Sequence, residues 1–256
     1  MKPLTISLIQ FDISWENKEK NLAYLAEKVK EIKEAHIVIL PEMFATGFSM
    51  NRDLAEEMDG LIINWLKETA KQNKRIIAGS VMIIEGNKIY NRLIWMLPNG
   101  QFYHYDKRHL FSLANEDQYF TAGEKRLVVV VNGWKINLQI CYDLRFPVWA
   151  RQTKEPYDLL INIANWPEKR IAAWDILLQA RAIENQCFVL GINRVGHDGN
   201  EIYHNGNSAI IDPLGKIIAR NENEEIILTH TFLEKDFINI RTHFSFLNDA
   251  DNFLIL

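Results

Sequence analysis

Cys141 lies in the run Gln139-Ile140-Cys141-Tyr142-Asp143-Leu144-Arg145-Phe146-Pro147, where the apolar segment Trp134 to Ile140 gives way to a helix-like opening. A thiol at the end of a strand and ahead of a helix start meets converging backbone N–H groups. Such groups favour a thiolate and can also bind an oxyanion, which is what a cysteine nucleophile requires. The competing reading is a buried structural cysteine, because free cysteine behaves mostly as a small hydrophobe. The second cysteine, Cys187, follows a helical pattern at residues 180–186 and opens the apolar run 188–193 with no charged neighbour, so it reads as core.

Two other segments carry side chains with chemistry. Glu42 stands at the mouth of Ile37-Val38-Ile39-Leu40-Pro41, among Met43, Phe44 and Phe48. A carboxylate just beyond a buried strand is partly desolvated, as suits a general base, although an N-cap or a surface Glu fits the same pattern. Lys107 lies in Tyr105-Asp106-Lys107-Arg108-His109-Leu110-Phe111, beside apolar residues that would concentrate its charge on a developing oxyanion. A solvated charged loop is the alternative there. Glu116 follows in the same segment, seven residues before Gly123. None of the seven histidines adjoins a cysteine motif. His197-Asp198-Gly199-Asn200 and the nearby His204 match no common metal-ligand spacing and read as loop residues. GxSxG, HExxH, P-loop and GxGxxG patterns are absent.

These groups need a scaffold, and the pattern supplies one. Leu4–Gln10, Ile37–Leu40, Ile76–Ile83, Asp158–Ile163 and Phe188–Asn193 read as strands. Helical spacing appears at Leu22, Leu25, Ala26, Val29 and Ile32, again at Ile62, Trp65, Leu66 and Thr69, and at Trp174, Leu177, Ala180 and Ile183. Asn99-Gly100 and Asn132-Gly133 mark hairpins, because Asn-Gly tolerates the positive φ of tight turns. Strands near Ser208–Ile211, Ile217–Arg220 and Glu225–Thr231 follow, with Asp212-Pro213-Leu214-Gly215 as a turn and 233–256 as a mixed polar and aromatic tail. Helices, crossovers and hairpins together predict a layered α/β architecture in a single domain, 1–256.

Composition narrows the function. The 256 residues are 48% apolar and 24% charged, with a net charge of −4 and no basic stripe, so nucleic acid is a poor partner. No run of about 18 apolar residues spans a membrane, and the N-terminus lacks a secretory pattern. Two cysteines without a framework suit a reducing compartment, most simply the cytoplasm.

Taken in order, Pro41-Glu42-Met43-Phe44, Tyr105-Asp106-Lys107-Arg108-His109-Leu110-Phe111 and Cys141-Tyr142-Asp143-Leu144-Arg145-Phe146-Pro147 resemble the nitrilase superfamily of carbon–nitrogen hydrolases. The likeness continues through Ile6–Gln10, Asn165-Trp166-Pro167 and residues 180–185, to about residue 231. It implies a four-layer αββα sandwich paired into a homodimer, and a Glu42–Lys107–Cys141 triad with Glu116 as the second glutamate. In that scheme Glu42 is the base, Lys107 and the Tyr142 N–H hold the oxyanion, and Glu116 orients Lys107 or the substrate. No metal or organic cofactor is needed. The run from Lys107 to Pro167 is most similar to the ω-amidase branch, which hydrolyses terminal amides of 2-oxoglutaramate or 2-oxosuccinamate. A nitrile, an N-carbamoyl amino acid, deaminated glutathione and a non-catalytic binding module are the alternatives. A substrate carboxylate needs a cationic partner. Arg145 and Arg170 are candidates, with a bracing salt bridge the competing role for Arg145, while Trp166 and Phe44 are expected to wall the pocket.

Overall fold

The computed structural model describes residues 1–152, 156–251 and 253. The first half supplies β1 (Leu4–Gln10), α1 (Lys18–Glu31), β2 (Ile37–Ile39), α2 (Leu61–Asn73), β3 (Ile76–Glu85), β4 (Lys88–Met96), β5 (Phe102–Asp106) and the one-turn α3 (Glu116–Tyr119). Then come β6 (Val128–Val131), β7 (Trp134–Ile140), α4 (Pro147–Ala150), β8 (Leu159–Ile163), α5 (Ile171–Asn185) and β9 (Phe188–Ile192). β10 (Val195–His197), β11 (Tyr203–Ile211), β12 (Ile217–Glu222), β13 (Ile226–Phe232) and α6 (Glu234–His243) complete the chain.

The strands form two sheets. One runs β13-β1-β2-β3-β4-β5; the other runs β10-β11-β9-β8-β7-β6, with β12 paired to β11. Each sheet has three parallel strands at its centre, β1-β2-β3 and β7-β8-β9, and antiparallel strands outside them. The period-2 alternation explains the stacking. Ile37 and Ile39 point between the sheets to meet Ile136, Leu138 and Ile161. Their neighbours Val38 and Leu40 point the other way, onto Leu25, Val29 and Leu66 of α1 and α2. In the second sheet Leu160 and Val189 point outward and are covered by Trp174, Leu178 and Ala182 of α5. The result is the expected αββα order, and burial on both faces explains why the parallel strands read as unbroken apolar runs.

Local chemistry agrees with the larger plan. The Asn17 side chain accepts the Lys20 N–H at the start of α1. Asn132 and Gly133 both take positive φ, as the two-residue turn between β6 and β7 requires. No helix among the described residues is long and apolar enough to cross a membrane.

Two readings from the sequence need correction. The segment 233–256 is not all tail: α6 packs Phe237 against Trp134 and Phe188, and Arg241 donates to the carbonyls of Gln186 and Tyr157. Its apolar signal is thin, with Phe237 the one buried residue of the helix, so periodicity does not reveal it. Residues 252 and 254–256 of that segment lie outside the described residues. The 197–204 region is also more ordered than a loop: His197 ends β10, and His204 lies on β11, 2% exposed.

Gly123 ties this frame to the chemistry. Its N–H donates to the Lys107 carbonyl at 2.8 Å, and a Cβ there would sit 2.1 Å from the Asp106 carbonyl oxygen. Gly123→Ala is therefore expected to cost about 1–3 kcal/mol by overpacking. Urea unfolding checks this as a lower midpoint at unchanged slope.

Candidate active site

The chemistry-bearing residues sit where strands end. Glu42 comes three residues after β2 ends at Ile39, Lys107 immediately follows β5, Cys141 immediately follows β7, and Asn165 lies two residues past β8. Carboxyl ends of parallel strands are where open α/β sheets place ligand crevices. Two non-glycine residues here take left-handed backbone: Met43 at φ 46° and Cys141 at φ 45°. That conformation costs on the order of 1–3 kcal/mol and persists only where its surroundings over-determine it. Each turns the chain sharply, which exposes Cys141 beside Glu42 and Lys107 along one pocket.

At the centre is a buried charge cluster. Lys107 Nζ donates to Glu42 Oε1 at 2.8 Å and to Glu116 Oε1 and Oε2 at 3.0 and 2.9 Å. Glu42 and Glu116 are fully buried and Lys107 is 1% exposed. Asn91 Nδ2 donates to Glu42 Oε1 at 2.8 Å, and the Phe111 N–H donates to Glu116 Oε2 at 2.6 Å. The Asn165 N–H donates to Glu42 Oε2 at 2.9 Å, and its side-chain amide donates to the Glu42 carbonyl. The Asn165 carbonyl lies 4.0 Å from Cys141 Sγ.

Electrostatics assign different states to these groups. Burial alone would strip the proton from Lys107, but Glu116 and Glu42 outweigh it and hold the ammonium charged. Burial pushes the Glu116 carboxyl up, and Lys107 opposes that rise. Burial pushes the Cys141 thiol well up, Glu42 adds to the rise and Lys107 opposes it. The resting sulfur is therefore a neutral thiol. Backbone N–H groups favour a thiolate, but burial and Glu42 outweigh them here, which leaves the need for a base that the sequence reading gave to Glu42. The segment Cys141–Arg145 is a single five-residue 3₁₀ turn, whose dipole is too small to offset burial beside a carboxylate.

The walls match the sequence reading in part. Tyr142 and Trp166 line the pocket. Phe44 does not: it packs in the helix–sheet layer, 5.9 Å from the Trp65 ring. Phe48 lines the pocket instead, with its ring 5.0 Å from Lys107 Nζ. The turn at Met43 decides which phenylalanine faces which way. Arg145 makes no bracing salt bridge among the described residues; its guanidinium lies 4.9 Å from the Trp166 ring. Arg181 braces that junction, donating to the Leu144 carbonyl. Cys187 is buried and unconnected to the pocket, as its flanks suggested.

Sequence reading gave no site role to Asn91, Asn165, Phe48 or Phe111. Asn165 had a usable signal, since it too stands just beyond a buried strand. Asn91, in the middle of β4, had none.

Comparison with known proteins gives the family. The carbon–nitrogen hydrolase family pattern matches residues 5–234. The chain belongs to that family. It is 39% identical to omega-amidase YafV of Yersinia enterocolitica over the full length of both chains. It is also 39% identical to 2-oxoglutaramate amidase of Bacillus subtilis, over 88% of each. The crystal structure of XC1258 from Xanthomonas campestris, a CN-hydrolase superfamily protein with an arsenic adduct in its active site, superposes with a TM-score of 0.97. That protein is 40% identical, with both chains covered completely.

His204 also lines this family's pocket here, and it generates a pH prediction. Burial, reinforced by the Arg194 charge, holds its pKa down at about 4. The fold thus keeps His204 neutral, whereas the unfolded chain takes up a proton near pH 6.5. Stability from this group is complete above pH 6.5 and is lost as pH falls towards 4, by up to about 3 kcal/mol. Urea titrations at pH 7 and pH 4.5 should show the loss, and His204→Gln should remove this component of it.

Proposed function

We propose that this hydrolase is an ω-amidase that uses Cys141 to cleave the terminal amide of a short 2-oxo acid, such as 2-oxoglutaramate, to carboxylate and ammonia. The observation that carries the reading is the buried Lys107 held between Glu42 and Glu116 beside the Cys141 thiol in one pocket. A neutral thiol needs a base at the moment of attack, and Glu42 is the carboxylate beside it. As Cys141 Sγ adds to the amide carbon, its proton passes to Glu42. The oxygen that gains charge is held by the Lys107 ammonium and the Tyr142 N–H. Glu42 then gives the proton to the departing nitrogen, which leaves as ammonia from a thioester. Water adds to the thioester with Glu42 again taking the proton, and the carboxylate product departs as the thiol is restored. Glu116 holds Lys107 throughout and takes no proton.

The substrate's acidic end is supported by two arginines. Arg145 and Arg170 line the pocket on the faces of Trp166 and Phe111, each 4.9 Å from its ring. Neither has a carboxylate within ion-pair reach among the described residues. Burial and the nearby Arg145 charge both lower the Arg170 pKa. A carboxylate bound between them relieves that repulsion with charge-assisted hydrogen bonds. The two amidase relatives at 39% identity fit the same substrate class. We also retain a single 1–256 domain, a cytoplasmic location and a homodimer. Two free cysteines support the location, and the exposed Ile176 and Ile183 of α5 support pairing.

Ammonia release from 2-oxoglutaramate tests the reading, with a nitrile, an N-carbamoyl amino acid and deaminated glutathione as comparison substrates. Cys141→Ala should abolish turnover, and Glu42→Gln should lower kcat by at least about 10²-fold. Arg145→Gln and Arg170→Gln should lower kcat/KM on the acid amide by about 10–100-fold while sparing butyramide, which has no carboxylate. Wild-type turnover of none of the ω-amides would remove the substrate reading.

A further inference from the structure

Asp143 stands two residues after Cys141, and its side chain is fully buried. Four donors converge on it. Its Oδ2 accepts the Tyr105 hydroxyl at 2.6 Å and the Ile140 N–H at 3.1 Å. Its Oδ1 accepts the His109 N–H at 2.9 Å and the His109 ring Nδ1 at 2.8 Å. Such a set is satisfied by a group that only accepts, which explains a carboxylate at this position.

The spacing of these donors bears on function. Tyr105 lies two residues before Lys107 and His109 two residues after it, so the donors bracket the lysine. Ile140 immediately precedes Cys141, so the same carboxylate also fixes the strand end from which Cys141 turns at φ 45°. Lys107 follows β5 of one sheet and Cys141 follows β7 of the other, and no strand pairing joins them. Aromatic packing supports the donors. The His109 ring stacks on Phe146 at 3.7 Å, and Trp149 Nε1 donates to the Tyr105 hydroxyl at 2.9 Å.

We propose that Asp143 is a positioning residue, whose carboxylate clamps the Cys141 turn to the Lys107 strand end through Tyr105 and His109. The proposal rests on the reading of Cys141 as nucleophile and Lys107 as its oxyanion partner. Asp143 touches no reacting atom. It sets the distance between a thiol and an ammonium carried by different sheets. A displacement of about 1 Å at such a pair costs about 10²-fold in rate.

Replacing Asp143 itself would strand four donors, so the test uses its partners. Tyr105→Phe deletes one hydroxyl, and His109→Phe keeps a ring against Phe146 while deleting the Nδ1 donor. Each should lower kcat on the ω-amide by about 10–100-fold, with KM within about threefold of wild type. Acting through one carboxylate, the two together should lose less than the product of the single losses. A second measurement needs no turnover: the pH profile of Cys141 alkylation by iodoacetamide, with buried Cys187 as internal control. Lys107 opposes the rise of the thiol, so a displaced Lys107 moves the profile to higher pH. Cooperative melting of each variant shows that the fold is retained. Folded variants with wild-type kcat and an unmoved alkylation profile would overturn the clamp, as would a loss carried by KM or strictly multiplicative losses. Failure of the wild type to hydrolyse any amide would instead strike the functional reading, and the alkylation profile would still judge the clamp.

Discussion

An ammonium buried between two carboxylates makes demands on everything around it. Lys107, Glu42 and Glu116 lie almost wholly out of solvent, so each donor and acceptor must find its partner within the protein. Breaking such a cluster by removing one member typically costs about 3–5 kcal/mol, because an unpaired charge stays behind. That constraint accounts for several otherwise separate features. Asn91 and Asn165 supply the hydrogen bonds that Lys107 leaves unfilled on Glu42. The Phe111 N–H completes Glu116. Gly123 lets a second segment pass against the backbone at Asp106, which would be blocked by any side chain.

In the proposed mechanism the same cluster decides how a cysteine acts without histidine. The field at Cys141 combines burial and a carboxylate, which raise the thiol, with an ammonium that lowers it. The balance leaves the sulfur protonated at rest, so its reactivity depends on a proton acceptor already in place. In the proposed mechanism the two glutamates divide their work. Glu116 has both oxygens committed to Lys107, whereas Glu42 faces the thiol and shares only one oxygen with the lysine. The arginines sit on aromatic faces along the same pocket. The lysine charge is thus neutralised within the protein, whereas neither arginine has an ion-pair partner among the described residues.

Much of the frame was legible in advance because its signals are local. The strand Leu4–Gln10, the helical spacing from Leu22 to Ile32 and the Asn132-Gly133 turn reflect periods and φ preferences that neighbouring residues set among themselves. Less legible elements depended on partners far along the chain. β11 starts at Tyr203, well before the apolar run at Ser208, because polar His204 and Asn205 are held by pairing with β10. Helix α6 has one buried anchor, Phe237, and docks by arginine contacts to residues some 55 to 84 positions earlier.

The site divides along the same line. Residue type and strand-end position made candidates of Glu42, Lys107 and Cys141, because a partly desolvated acid, base or thiol stands out against an apolar flank; family resemblance joined the three and added Glu116. Three matters were decided only by tertiary structure. Asn165 reaches Glu42 across 123 residues, a contact no local pattern encodes. The left-handed turn at Met43 sends Phe44 into the core and leaves Phe48 on the pocket, although both closely follow Glu42 in sequence. The balance of fields on Cys141 is the third. Backbone N–H groups at a strand end favour a thiolate, but the fold brings Glu42 against a largely desolvated sulfur, and these two effects outweigh the nearby lysine.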